Sequence, residues 1–387
     1  MGAHHARHAA PEGRRIRRFA LAAVAPFALL TLVAVIWLWP SEQVPVPEGS
    51  GAADELNGEI VSVTTEPCAE DVPQDVNGCG TAQVRITSGA DQGDEVSTPL
   101  PNGPGAPEVA EGDAVVLIEV TGPDVTTYAI VDHQRGTGLW ILLIAFSLAL
   151  VAFAGWRGLT ALAGLAVTFA VLLLFVVPAI LEGSSPMLVA IVGSAAIVLT
   201  VLYLTHGFGL STTVAVLGTL VSLALTGALS AAAVSGLGLT GVTDDLSLAL
   251  STTQTINMQG LLLAGIVIGA LGVLDDVTVT QAATVTEIAR ANPTYRVGQL
   301  YRAGLRVGRS HIASVVNTII LAYAGSSLPL LILIIANNDS LGGVVTDQVI
   351  AQEIVRSVVG TLGLIAAVPV TTALAALVVR RAAEKDG

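Results

Sequence analysis

Eight apolar runs dominate this 387-residue chain, each close to the ~20 residues that carry a helix across a hydrocarbon core. They cover 19–39, 138–154, 159–181, 187–205, 210–236, 258–274, 312–336 and 354–379. Charged residues make up only 12%, hydrophobic residues 53%, and the mean hydropathy is +0.75, which excludes a disordered, collagenous or nucleic-acid-binding chain. The expected fold class is an all-α polytopic membrane protein of eight helices. A small extracytoplasmic all-β domain is inserted between the first two spans.

The first run follows Arg14, Arg15, Arg17 and Arg18, ends in Trp37, Trp39 and Pro40, and lacks an A-x-A cleavage pattern. It reads as a retained signal anchor (19–39) behind a basic amino terminus (1–18). Eight crossings starting inside put both termini in the cytoplasm of a bacterium, with the bundle in the plasma membrane. Of the 17 bases, only Arg85 and Arg135 then fall outside and Arg356 within a span, leaving the other fourteen inside, as the positive-inside rule requires. A seven-helix membrane domain follows at 138–379, with a cytoplasmic segment at 276–310 and a tail at 380–387. Of the 30 acids, 18 lie between Glu42 and Asp132, so the net charge of −13 sums an acidic outer face and a basic inner one.

Within 40–137, alternating β patterns at 58–65, 81–87, 94–100, 114–120 and 126–132 are separated by Gly, Pro and Asp, which predicts five short strands in an OB-like barrel. Cys68 and Cys79, the only cysteines, lie here outside the reducing cytoplasm and are expected to form a disulfide. Residues 244–259 repeat apolar positions at helical spacing, as a short helix lying on the outer surface or dipping into the bundle does. Residues 277–290 read as a Thr-rich continuation of the sixth span, broken at Asn292 and Pro293. Residues 295–308 read as a separate interfacial helix whose Arg302, Arg306 and Arg309 reach anionic lipid.

The densest unusual stretch runs from Gly260 to Arg290. Gly265 and Gly269 form a G-x-x-x-G pair with Gly272 nearby, a pattern that brings another helix close. Asp275 and Asp276 sit where the apolar run ends, and ionisable groups at membrane depth line water-filled paths, proton relays or cation sites. Glu287 shares a helix face with Asp276, about 16 Å away at three turns. Asn317 lies six residues into the seventh span, either as interhelical glue or as part of the same polar path. Glu353 and Arg356, three residues apart, are spaced to pair along one face. His311 reads as a surface residue at the membrane edge, and His4, His5 and His8 do not amount to a metal site. No G-x-x-x-x-G-K-[ST], H-E-x-x-H or G-x-S-x-G pattern occurs, so no catalytic residue, metal or cofactor is implied.

GLLLAGIVIGALGVLDDVTVTQAATVTEI (260–288), VNTIILAYAGSSLPL (316–330) and EIVRSVVGTLGLIAAVPVT (353–371) resemble the YibE/F-like family of bacterial multi-pass membrane proteins. The anchor, the small domain opening on GEIVSV and the seven further spans fit the same resemblance. It places the family's acidic position on Asp276, with Asp275 at an apolar position. It places the second acid on Glu287, the N-T pair on Asn317 and Thr318, and the E-I-V-R run on Glu353 and Arg356. The family has no agreed biochemical activity, so the resemblance implies architecture and not a substrate.

The expected function is a permease or exporter of a small solute or ion, coupled to a proton or cation gradient. Asp276 is then a protonatable or ion-binding group, Glu287 the inner relay, Asn317 a ligand, and Glu353 with Arg356 an outer gate or a structural clasp. The alternative is a membrane-anchored accessory or sensor whose acidic outer domain binds a partner.

Overall fold

The computed structural model describes residues 14–41, 55–68, 76–121, 126–243, 245–253, 256–336 and 346–386. His4, His5 and His8 lie outside them. The chain forms two compact units: Pro45–Phe153, and Met1–Val44 together with Ala154–Gly387.

In the first unit, β1 (Glu55–Glu66), β2 (Cys79–Ile86), β3 (Glu95–Pro99), β4 (Ala114–Thr121) and β5 (Thr126–His133) form an antiparallel sheet in the order β3-β2-β1-β4-β5. Alternation sends Leu56, Ile60, Ala82, Val84, Ile86, Val115 and Leu117 to one face, where they form the core. The sheet's edges approach each other: the Thr98 hydroxyl donates to the Tyr128 carbonyl at 2.7 Å. Among the described residues no backbone ladder joins β3 to β5, so the expected OB-like barrel is seen only as a five-stranded sheet with neighbouring edges. Cys68 and Cys79 are disulfide-bonded, with Cα atoms 5.1 Å apart. The bond ties the chain leaving β1 to the start of β2. Helix α2 (Gly136–Ala154) is strongly apolar and buries none of its residues.

The second unit is helical: α1 (Arg14–Trp37), α3 (Trp156–Val171), a π turn (Leu172–Val176), α4 (Val177–Leu181), α5 (Pro186–His206), α6 (Leu210–Gly236), α7 (Asp245–Thr253), α8 (Met258–Ala291), α9 (Val297–Ser326), α10 (Leu328–Ala336) and α11 (Gln348–Asp386). The π turn precedes Pro178, which has no N–H to offer the carbonyl four residues back.

Among the described residues, six helical stretches are long and apolar enough to cross a membrane: Gly136–Ala154, Trp156–Leu181, Pro186–His206, Leu210–Gly236, Met258–Ala291 and Gln348–Arg381. That number is compatible with a multi-pass membrane protein and is two fewer than the eight expected. The first run contributes a shorter apolar helix, Ala22–Trp37. The 312–336 run is divided, because α9 starts at Val297 and the chain turns at Ser327, two residues before Pro329. Nothing between Gly308 and Ile312 breaks a helix, so the expected separate interfacial helix is instead the first half of α9. It carries Arg302, Arg306 and Arg309, all exposed, on the same rod as Asn317.

The core is built on α6, α8 and α11. Rows of small residues let α6 and α11 approach: a methyl on Gly218 would overlap the Thr371 side chain, and one on Gly363 would overlap Thr226. Since 218 pairs with 371 and 226 with 363, the two helices run antiparallel, and their i, i+4 rows interlock. Helix α9 is held similarly, with Gly304 against Val285 and Thr372, and Gly308 against Val368. Between these glycines the Gln281 amide donates to the Gly304 carbonyl at 2.9 Å and to the Thr372 hydroxyl at 2.7 Å, joining α8, α9 and α11. The expected packing glycines lie elsewhere. A Cβ on Gly265 or Gly272 would meet open space, and only Gly269 faces a neighbour, the Tyr323 hydroxyl at 3.2 Å.

Candidate functional site

Helix α3 begins at Trp156 after Gly155, whose positive φ of 59° turns the chain, and α5 ends at His206 before Gly207 at 74°. Gly164 lets these helices close on each other, a Cβ there standing 3.0 Å from Val201 and 3.4 Å from Thr205. The start of α3 and the end of α5 thus lie side by side, and α8 runs past them. Between the three is a pocket of about 690 Å³ lined by Arg157, Gly164, Thr168, Thr205, His206, Asp275 and Asp276, with apolar groups completing the wall.

The two aspartates enter from successive positions of α8. Asp275 is partly buried and its carboxylate accepts the Asp276 backbone N–H at 2.8 Å; Asp276 is exposed. The sequence ranks Asp276 above Asp275, yet both line the pocket and Asp275 is the more enclosed. The Thr205 hydroxyl and the His206 Nδ1 atom are 2.7 Å apart. Two carboxylates, an imidazole and a guanidinium therefore share one cavity, and carboxylate and imidazole are groups that exchange protons. Behind the pocket wall, the buried Thr278 hydroxyl donates to the main-chain carbonyl of Asp275 at 3.0 Å and lies 2.6 Å from the Thr219 hydroxyl of α6. Among the described residues no three His, Cys, Asp or Glu side chains gather as a metal site.

The model of the YibE/F-like protein family matches residues 142–381, more than half of the chain. The chain belongs to the YibE/F-like family. The match runs from within α2 into α11, so it takes in the pocket and all of α8, while the β strands precede it. No curated protein and no solved structure matches the chain.

The other candidates do not converge on this pocket. Glu287 is exposed and pairs with Arg290 at 2.7 Å. Asn317 and Thr318 are exposed on α9, and Thr318 donates to the Ser314 carbonyl at 3.2 Å. Glu353 and Arg356 pair at 3.2 Å, partly buried, near the start of α11. Sequence reasoning missed His206, Thr168 and Thr205, and took Arg157 only as a topology marker. The available signal was a base opening one apolar helix and a histidine closing the next, in a chain whose Asp275 and Asp276 end a third apolar run.

Proposed function

We propose that this chain is a permease or exporter in the bacterial plasma membrane, moving a small solute or ion at the expense of a proton or cation gradient. The observation that carries the reading is the pocket where Asp275 and Asp276 meet His206 and Arg157 among apolar helices. Carboxylates in such a setting are costly unless they bind or exchange a cation, and Arg157 is a base lining the same cavity. In this reading both termini are cytoplasmic, residues 40–137 form an OB-like domain outside, and Arg302, Arg306 and Arg309 meet anionic lipid headgroups. The test uses the full chain in proteoliposomes carrying an internal pH dye, with a valinomycin-clamped potassium potential drawing protons inward. Asp275→Asn and Asp276→Asn are each expected to slow proton entry at least tenfold; entry unchanged in both defeats the reading.

A second reading, an anchored accessory protein, is supported by the separate compact unit Pro45–Phe153 with its acidic sheet domain. It predicts that both aspartate variants keep the wild-type phenotype while changes on the sheet surface abolish it.

A further inference from the structure

Two acid–base pairs of the helical unit are joined directly, Glu287 to Arg290 at 2.7 Å and Glu353 to Arg356 at 3.2 Å. The pocket between α3, α5 and α8 is different. Arg157, Asp275 and Asp276 all line it, yet among the described residues no ion pair joins the guanidinium to either carboxylate. The Arg157 guanidinium and the Asp276 carboxylate, both on exposed residues, make no hydrogen bond among the described residues either. The Asp275 carboxylate accepts a backbone N–H and meets no cation. One cation and two anions therefore share a cavity without neutralising one another, and both signs stay open to a ligand.

Arg157 stands in the first turn of α3, and Ala161, Leu165 and Thr168 follow at one, two and three turns along the same side, about 16 Å of helix axis in all. Val201 and Leu202 of α5 and Val279 of α8 complete an apolar wall. A cavity of about 690 Å³ with apolar walls and a few polar groups has the make-up of a small-molecule site. The Thr168 hydroxyl gives its hydrogen to the Gly164 carbonyl at 3.0 Å, so toward a ligand its oxygen can only accept. A metal ion would find two carboxylates on adjacent positions of one helix, a guanidinium of its own sign and hydrocarbon, where it needs oxygens on several sides. A simple anion would face both carboxylates, and a simple amine would leave the guanidinium opposing it. A molecule carrying both charges satisfies both: a guanidinium matches a carboxylate with two parallel N–H donors, and an ammonium has three hydrogens for the aspartates and the Thr168 oxygen.

We propose that this pocket binds a zwitterion, an amino acid with an apolar side chain, holding its carboxylate on Arg157, its ammonium on Asp276 and Asp275, and its side chain against Leu165, Val201 and Leu202. The proposal rests on the transport reading above and names its solute. It also leaves a place for the coupling ion. With the imidazole neutral, two carboxylates and one guanidinium leave one negative charge that a zwitterion does not cancel, and the proton or cation of that reading does.

The experiment is equilibrium binding of radiolabelled L-leucine to the full chain in detergent, with two competitors that each carry half of its charge: isoamylamine, which lacks the carboxylate, and 4-methylpentanoate, which lacks the ammonium. Leucine is expected to bind, and each half-ligand to compete at least about tenfold more weakly. Arg157→Gln is expected to weaken leucine by at least about tenfold while isoamylamine binds no less well than to wild type. Asp276→Asn is expected to weaken leucine while 4-methylpentanoate binds no less well. Because both residues are exposed, the melting temperature of each variant should hold. No leucine binding to wild type, equal competition by either half-ligand, or leucine binding unchanged in Arg157→Gln overturns the proposal. If leucine fails to bind while Asp275→Asn still slows proton entry, the transport reading survives and only the solute is wrong. If leucine binds as expected while both aspartate variants pass protons like wild type, the zwitterion site stands and transport fails.

Discussion

Gly363 of α11 lies so close to Thr226 of α6 that a single methyl group on the glycine would overlap the threonine side chain. The contact sits in the core, where both residues are buried and where Thr226 keeps its own hydrogen bond to the Ser222 carbonyl at 2.9 Å. Gly363→Ala is therefore expected to destabilise by about 1–3 kcal/mol through overpacking. Thr226→Ala alone should cost about 1 kcal/mol for its lost bond and methyl. The double variant should recover part of the first loss, with an interaction energy above about 0.5 kcal/mol. Thermal unfolding in detergent measures all three, and additive losses would mean that the helices are not pressed together here.

The opposite outcome is expected on α8. Gly265 and Gly272 have nothing within 4 Å of where a Cβ would stand, so each weakens the helix without serving a contact. Alanine at either position is expected to be neutral or to stabilise by up to about 1 kcal/mol, the difference in helix propensity. Gly269→Ala, facing the Tyr323 hydroxyl at 3.2 Å, should gain less. Loss of folded protein in Gly265→Ala would restore the G-x-x-x-G reading.

These glycines show where the sequence is informative and where it is not. The five strands are legible because alternation and turn residues are local, and the structure moves their ends by no more than three residues. The apolar runs are legible by length, but continuity is not: Arg302, Arg306 and Arg309 share a helix with Asn317 because no residue between them breaks it. Which glycines face a neighbour depends on tertiary partners. The row of Gly218, Ser222, Thr226 and Ser230 pairs with Gly363 and Thr371, from a span more than 130 residues later. Asp275 and Asp276 are conspicuous because a charge at the end of an apolar run stands out. His206 and Thr168 become pocket residues only when α3 and α5 are laid beside α8.

Gln281 should behave as a joint between three helices. It is 3% exposed and its amide nitrogen holds both the Gly304 carbonyl and the Thr372 hydroxyl. Gln281→Leu keeps the volume and loses both bonds, and since Thr372 retains its 2.6 Å bond to the Val368 carbonyl, the cost should be about 1–3 kcal/mol. The loss should appear as faster hydrogen exchange in α9 before the rest of the bundle. Uniform exchange across α6, α8 and α9 would argue against a local joint.

In the sheet domain, the disulfide joins Cys68 and Cys79, 11 positions apart in the chain. Replacing both cysteines by serine should lower the unfolding free energy of that domain by roughly 2–3 kcal/mol, chiefly by freeing the unfolded chain. Denaturant titration followed by hydrogen exchange on β1 and β2 would register the change. The bundle's own transition should not move, and a shift in both would mean that the two units unfold together.

The end of β5 has a pH dependence of known sign. Asp132 accepts hydrogen bonds from the Arg135 guanidinium and from the His133 backbone N–H at 2.8 Å, which hold its carboxyl below the ordinary value of 3.8, the guanidinium bond most of all. A depressed folded-state value means that the ionised carboxylate stabilises the fold above the unfolded value. That contribution is fully present at neutral pH and is lost as pH falls below 3.8 through the folded value. Arg135→Gln removes the larger cause. Carbon-13 titration of the Asp132 carboxyl should give a midpoint below 3.8 in the wild type and a higher one in the variant. Equal midpoints would mean that the Arg135 contact is not populated in solution.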